Sequence, residues 1–111
     1  MSGQDLYLEI DNKVKALNSA LSEHRKRGEK YAKARREYQV SLAKEILIQR
    51  NSGVPVTIIS DICKGNERIA DLRMDKDIAE SLYKSAGEAI NSYKLQIRII
   101  EGQIDREWGR R

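Results

Sequence analysis

The sequence predicts an all-α fold: a long antiparallel helical hairpin, coiled-coil-like, with a short capping helix in its connection. Three observations predict it. Residues 5–50 contain no proline and only one glycine, Gly28. Apolar residues recur there at alternating steps of four and three, and they do so again over residues 66–108. Between these segments lies "NSGVPVTIISDICKG", the one stretch with turn chemistry. A single domain over residues 1–111 is expected, since that length is near the common domain size.

The first helix is placed at about residues 5–50. Its seam reads Ile10, Val14, Leu17, Leu21, His24, Gly28, Tyr31, Tyr38 and Leu42, with a break at Arg35. Asp5 is the expected N-cap, with Ser2 as its rival. Glu9 with Lys13, Asp11 with Lys15, Glu23 with Arg27 and Glu29 with Lys33 have the favourable i,i+4 order, each contributing about 0.3–0.5 kcal/mol. Such pairs support a helix whose stability must come from its buried seam.

The turn and short helix occupy about residues 51–65. Asn51 to Gly53 supply C-cap residues, and Pro55 disfavours α conformation at Val54, so the first helix stops before it. Ile58, Ile59, Ile62 and Cys63 then form one apolar side that can cover the hairpin's end, and Gly65 ends the segment. Residues 55–64 are thus either a packed cap or a binding element.

The second long helix spans about residues 66–108, with Asn66 as N-cap and Glu67 in its first turn. Its seam is Ile69, Leu72, Ala79, Tyr83, Ala86, Ile90, Tyr93, Ile97, Ile100 and Ile104, broken at Lys76. A flanking row of Ile78, Leu82, Ala89, Leu95 and Ile99 widens the apolar face beyond what one neighbouring helix covers. About 45 residues per arm at 1.5 Å rise makes each arm roughly 65 Å long. Folding about the turn's midpoint sets residue i near roughly residue 117 − i, within a turn or so. Gly28 and Ala32 then face Ala86, Gly87 and Ala89, while Leu6, Tyr7 and Ile10 face Ile104 and Trp108. Two helices leave one side of each short of cover, so a homodimeric four-helix bundle or a partner protein is expected to supply the missing layer.

The net charge is +4 and the isoelectric point about 9.3, compatible with nucleic acid or an acidic protein but requiring neither. Most of the excess sits in "HRKRGEKYAKARR", where Arg25, Lys26, Arg27, Lys30, Lys33, Arg35 and Arg36 lie largely opposite the seam. These side chains form either a contact for phosphates or an acidic partner, or an ordinary solvated face; nothing on the opposite arm beyond Lys84 and Glu88 is expected at their level. Tyr31 and Tyr38 point into the seam and are not base-stacking platforms.

Other constellations have plainer readings. A helix-turn-helix over residues 56–75 would need a small residue at Asp61 and an aliphatic one at Asp71, and its second helix would be far too long. Asp71, Asp75, Asp77 and Glu80 lack the glycine-containing turn of hard-cation loops and read as a solvated helix face. His24 is the only histidine, in a seam position without companions for metal or catalysis. Cys63 is the only cysteine, so no internal disulfide is possible and a reducing cytoplasm is the expected compartment. Its only basic neighbour is Lys64, and it reads as an apolar filler. No signal-peptide pattern and no run of 18 apolar residues occurs, so neither secretion nor membrane spanning is expected. The nucleotide, zinc, redox and hydrolase signatures are missing, and no enzyme activity or cofactor is expected.

The stretch "GVPVTIISDICKGNERIADLRMDKDIAESLYKSAGEAINSYKLQIRIIEGQIDREW", with "YAKARREYQVSLAKEI" before it, resembles small helical proteins encoded by phages and prophages of Firmicutes. "VPVTIISDICKG" and "IRIIEGQIDREW" are its most distinctive parts. The resemblance covers about residues 10–108 and carries no catalytic motif. It implies a phage product acting in the cytoplasm of a bacterial host. Three functions compete: a helical protein that binds and inhibits or redirects a host protein, including an anti-defence role such as anti-CRISPR; a basic nucleic-acid-binding accessory of phage replication or recombination; and a structural scaffold.

Overall fold

The computed structural model describes residues 3–109. It contains α1 (Gly3–Asn51), α2 (Val56–Lys64) and α3 (Glu67–Ile104), followed by one π-helical turn, Asp105–Gly109. Among the described residues there is no strand, as the all-α reading expects.

Local chemistry explains each boundary. α1 begins at Gly3, so Asp5 lies inside its first turn rather than at the N-cap, where its charge still favours the helix dipole. Ser2, its rival, lies outside the described residues. The other end of α1 is a Schellman motif. The Val54 amide donates to the Gln49 carbonyl at 3.1 Å and the Gly53 amide to that of Arg50 at 3.1 Å. Gly53 takes φ +88°, the left-handed conformation this motif demands and glycine adopts without strain. Pro55 is the N-cap residue of α2, with φ −58° and ψ 139°. Gly65 ends α2 in right-handed conformation and does not use glycine's freedom. Asn66 caps α3, its Oδ1 accepting from the Ile69 amide at 3.3 Å. α3 stops at Ile104, a turn before the expected end, because residues 105–109 wind as the π turn.

The chain divides into two compact units. The first joins residues up to Lys26 with those from Lys84 onward. Within it Leu6, Ile100 and Ile104 form a buried cluster with Ile10 beside it. Gly3 lies directly under the Trp108 indole, and Gly87 faces the His24 ring. Partners ascend on α1 as they descend on α3, so the two segments run antiparallel.

The second unit, Arg27–Tyr83, holds the rest of α1, all of α2 and the start of α3. Ile59, Cys63, Ile69 and Ala79 are buried in it. Tyr31 stacks on Tyr83 with ring centroids 6.0 Å apart, and a Cβ at Gly28 would lie 3.0 Å from that Tyr83 ring. Lys76, the break in the seam, sits 5.1 Å from the Tyr38 ring centroid and 3.2 Å from Asp77. Its stem fills the seam while its charge rests on the aromatic face and the carboxylate. Ser41 is 4% exposed and accepts from the Arg68 guanidinium at 3.3 Å.

The α3 seam lies inward as expected, but α1 requires corrections. Leu17 lies inward as expected, but Val14 and Leu21 are exposed, and Lys13, Ala16 and Ala20 are half-buried instead. A straight helix drifts by about 20° per heptad from a 3.5-residue repeat, which rotates these positions out of the seam. The register is also shifted. Gly28 meets Tyr83 and His24 meets Gly87, each roughly six residues short of the expected level, under two turns. Ala32 is exposed rather than set in the interface between the helices. At the connection α2 buries Ile59 and Cys63. Half of the expected cap face stays outside, since Ile58 and Ile62 are exposed.

Candidate interaction surface

A residue on α3 faces α1 or turns away according to the 100° step of the helix. The seam uses one apolar row, and the flanking row has no cover within its own unit. In the second unit Ile78 is 52% and Leu82 37% exposed. Met74 precedes them at the same i,i+4 spacing and is exposed as well. In the first unit Leu95 and Ile99 are 55% and 53% exposed, while Ala89 is half-buried. Isolated exposed aliphatics are ordinary, but a row at helical spacing is a face prepared for contact.

Each unit also has a groove between α1 and α3. In the first it is lined by Ala16, Ser19, Ala20, Glu23, Ala86, Ala89 and Tyr93 and encloses about 470 Å³. In the second, Lys30, Lys33, Ala34 and Glu37 of α1 and Asp75, Ile78, Ala79 and Leu82 of α3 line about 460 Å³. This second groove has an alanine floor, two large aliphatics and four charges.

The cations divide between the units. Arg25 and Lys26 are exposed in the first; in the second Arg27 is half-buried, and Lys30, Lys33, Arg35 and Arg36 are exposed. The expectation that the opposite arm brings only Lys84 and Glu88 to their level does not hold, because Asp75 of α3 lines the same groove as Lys30, Lys33 and Glu37 of α1. The register shift brings Asp75 there, and spacing along α1 alone could not show it. Met74 escaped the sequence reading although its distance from Ile78 was a legible signal. Ser41 escaped because a serine carries no apolar mark.

Asp75 and Asp77 have separate surroundings, one in the groove and the other beside Lys76. Among the described residues no three His, Cys, Asp or Glu side chains gather in a group able to hold a metal ion. Of the expected i,i+4 pairs, Lys15 and Asp11 close at 3.1 Å between exposed side chains, a contact of little weight in water. Cys63 is fully buried, and desolvation, then the Glu45 carboxylate, pushes its thiol pKa up. A raised thiol pKa is the opposite of what an activated nucleophile requires. Among the described residues no helix is long and apolar enough to cross a membrane.

Comparison with family models, with curated proteins and with solved structures gives no match to this chain.

Proposed function

We propose that this chain works by binding another protein rather than by catalysis, as a phage-encoded helical module that inhibits or redirects a protein of its bacterial host. The observation that carries the reading is the pair of exposed large aliphatics Leu95 and Ile99, one helical turn apart on α3. Leu95 and Ile99 of the first unit are the residues we assign to the host partner. The phage resemblance supplies the setting, and anti-defence activity against a CRISPR-type nuclease is one form of it. A positive net charge argues against mimicry of DNA, so such a target would be gripped through an apolar surface.

The test is a CRISPR interference assay and an affinity capture from host cells, each with the wild type and with Leu95→Glu/Ile99→Glu. Because both side chains are exposed, the variant is expected to keep its helical circular dichroism. A captured host protein and a defence phenotype that both disappear in the variant support the reading. Identical behaviour of the two chains refutes it.

A second reading, nucleic-acid binding, is favoured by the exposure of Arg25, Lys26, Lys30, Lys33 and Arg36. Glu37 and Asp75 at the other end of the same groove weaken it, since a phosphate backbone laid along the groove would meet carboxylates there. Fluorescence anisotropy of labelled DNA across a salt series decides it. Real phosphate contacts give a steep salt slope that Arg25→Gln/Lys26→Gln/Arg27→Gln makes shallower.

A further inference from the structure

We propose that the groove of the second unit seats a second copy of this chain, docked antiparallel about a two-fold axis through the groove's middle. The inference rests on the reading above, that the outer face of α3 is a protein-binding surface, and names the partner for this stretch of it.

The charges carry the argument. Tyr31 lies against Tyr83 and Tyr38 against Lys76, which fixes the levels of the two antiparallel helices in this unit. Leu82 therefore stands at the level of Lys30, Ile78 and Ala79 at that of Lys33 and Ala34, and Asp75 at that of Glu37. The groove carries Lys30 beside Leu82 at one end, Lys33 among Ala34, Ile78 and Ala79 in the middle, and Glu37 with Asp75 at the other end. In an isologous interface residue i meets j and j meets i. A two-fold axis through Ala34 and Ala79 lays Lys30 of each copy over Glu37 and Asp75 of its mate, with Lys33 close to the axis. A parallel mate would set like charge on like. A uniformly basic partner is repelled at one end, a nucleic acid or acidic partner at the other, whereas the chain's own groove carries the matching pattern.

Shape agrees with charge. Ala34 and Ala79 leave room in the floor, and Ile78 and Leu82 are the large side chains beside it. Facing copies place aliphatic knobs over alanine holes, the packing that closes four-helix assemblies. Exposed Met74 lengthens the apolar strip by one helical turn.

The experiment is sedimentation equilibrium on the full chain, the wild type beside two charge-reversed variants. Lys30→Glu/Lys33→Glu makes both ends of the groove acidic, and Glu37→Lys/Asp75→Lys makes both basic. The wild type is expected at twice the 12.7 kDa chain mass. Each variant alone should self-associate about tenfold or more weakly, because every cross-pair becomes like-charged. An equimolar mixture should return to dimer, since all pairs are then opposite. A monomeric wild type overturns the proposal, as do variants that dimerise like the wild type or a mixture that stays monomeric. These outcomes leave the host-partner reading separately testable: Leu95 and Ile99 lie in the other unit, and their dependent capture is measured on chains of either oligomeric state.

Discussion

Ile69 and Ile78 are the same residue type, nine positions apart on α3 and within one unit, yet the structure gives them opposite roles. Ile69 is 1% exposed and Ile78 52%. Replacing Ile69 by Ala removes about three methyl or methylene groups from a closed site, each worth about 0.8 kcal/mol in transfer. The cavity left behind raises the loss to about 3–4 kcal/mol. Against a typical total stability of about 5–15 kcal/mol that is a large fraction, and it should lower the melting midpoint by roughly 10–15 °C. Ile78→Ala, at low micromolar concentration, should change stability by no more than about 0.5 kcal/mol. Thermal and urea melts followed by circular dichroism measure both. Equal losses at low concentration would refute the assignment of seam and outer face. If Ile78→Ala becomes destabilising only as concentration rises, the outer row is covered by a second copy, as proposed.

Three further predictions concern single contacts. Trp108 is the only tryptophan and lies on Gly3, so Gly3→Val should push the indole away and shift its emission to the red. Unchanged emission would show that the indole does not rest there. Asn66→Ala should cost about 1 kcal/mol by removing the cap on the Ile69 amide, while Asn66→Asp should largely preserve stability; urea midpoints separate the two. Burial and the Glu45 carboxylate raise the Cys63 pKa in the folded chain, so the folded state holds this proton more tightly than the unfolded state. That contribution is complete below the ordinary thiol value of about 8.5 and is lost as pH rises through the higher folded value. The stability difference between wild type and Cys63→Ala should therefore shrink above that pH, and a difference that grows would contradict the sign.

Much of the architecture follows from the sequence alone because helix signals are local. The apolar spacing of α3, the Asn66 cap and the Asn51–Pro55 break each depend on a few neighbouring residues, and all three stand in the structure. Gly53 at positive φ was legible for the same reason: a glycine two residues before a proline, at the end of a helical pattern, is where a Schellman motif belongs. Boundaries set by distant contacts were not legible. The hairpin reading set Trp108 against Leu6, Tyr7 and Ile10 but not against Gly3, where it lies, and no local pattern marks the π turn after Ile104.

The exposure of Ile78 and Leu82, and of Leu95 and Ile99, could be read from periodicity, because helical phase alone says which side chains fall outside a single seam. The groove could not. Whether Asp75 shares a groove with Lys33 depends on how far α3 slides along α1. Helical periodicity is a property of one segment and is written in it. Register is a property of two segments packed together, settled by which side chains fill the space where they meet: Tyr83 against Gly28, Lys76 against Tyr38 and Arg68 against Ser41.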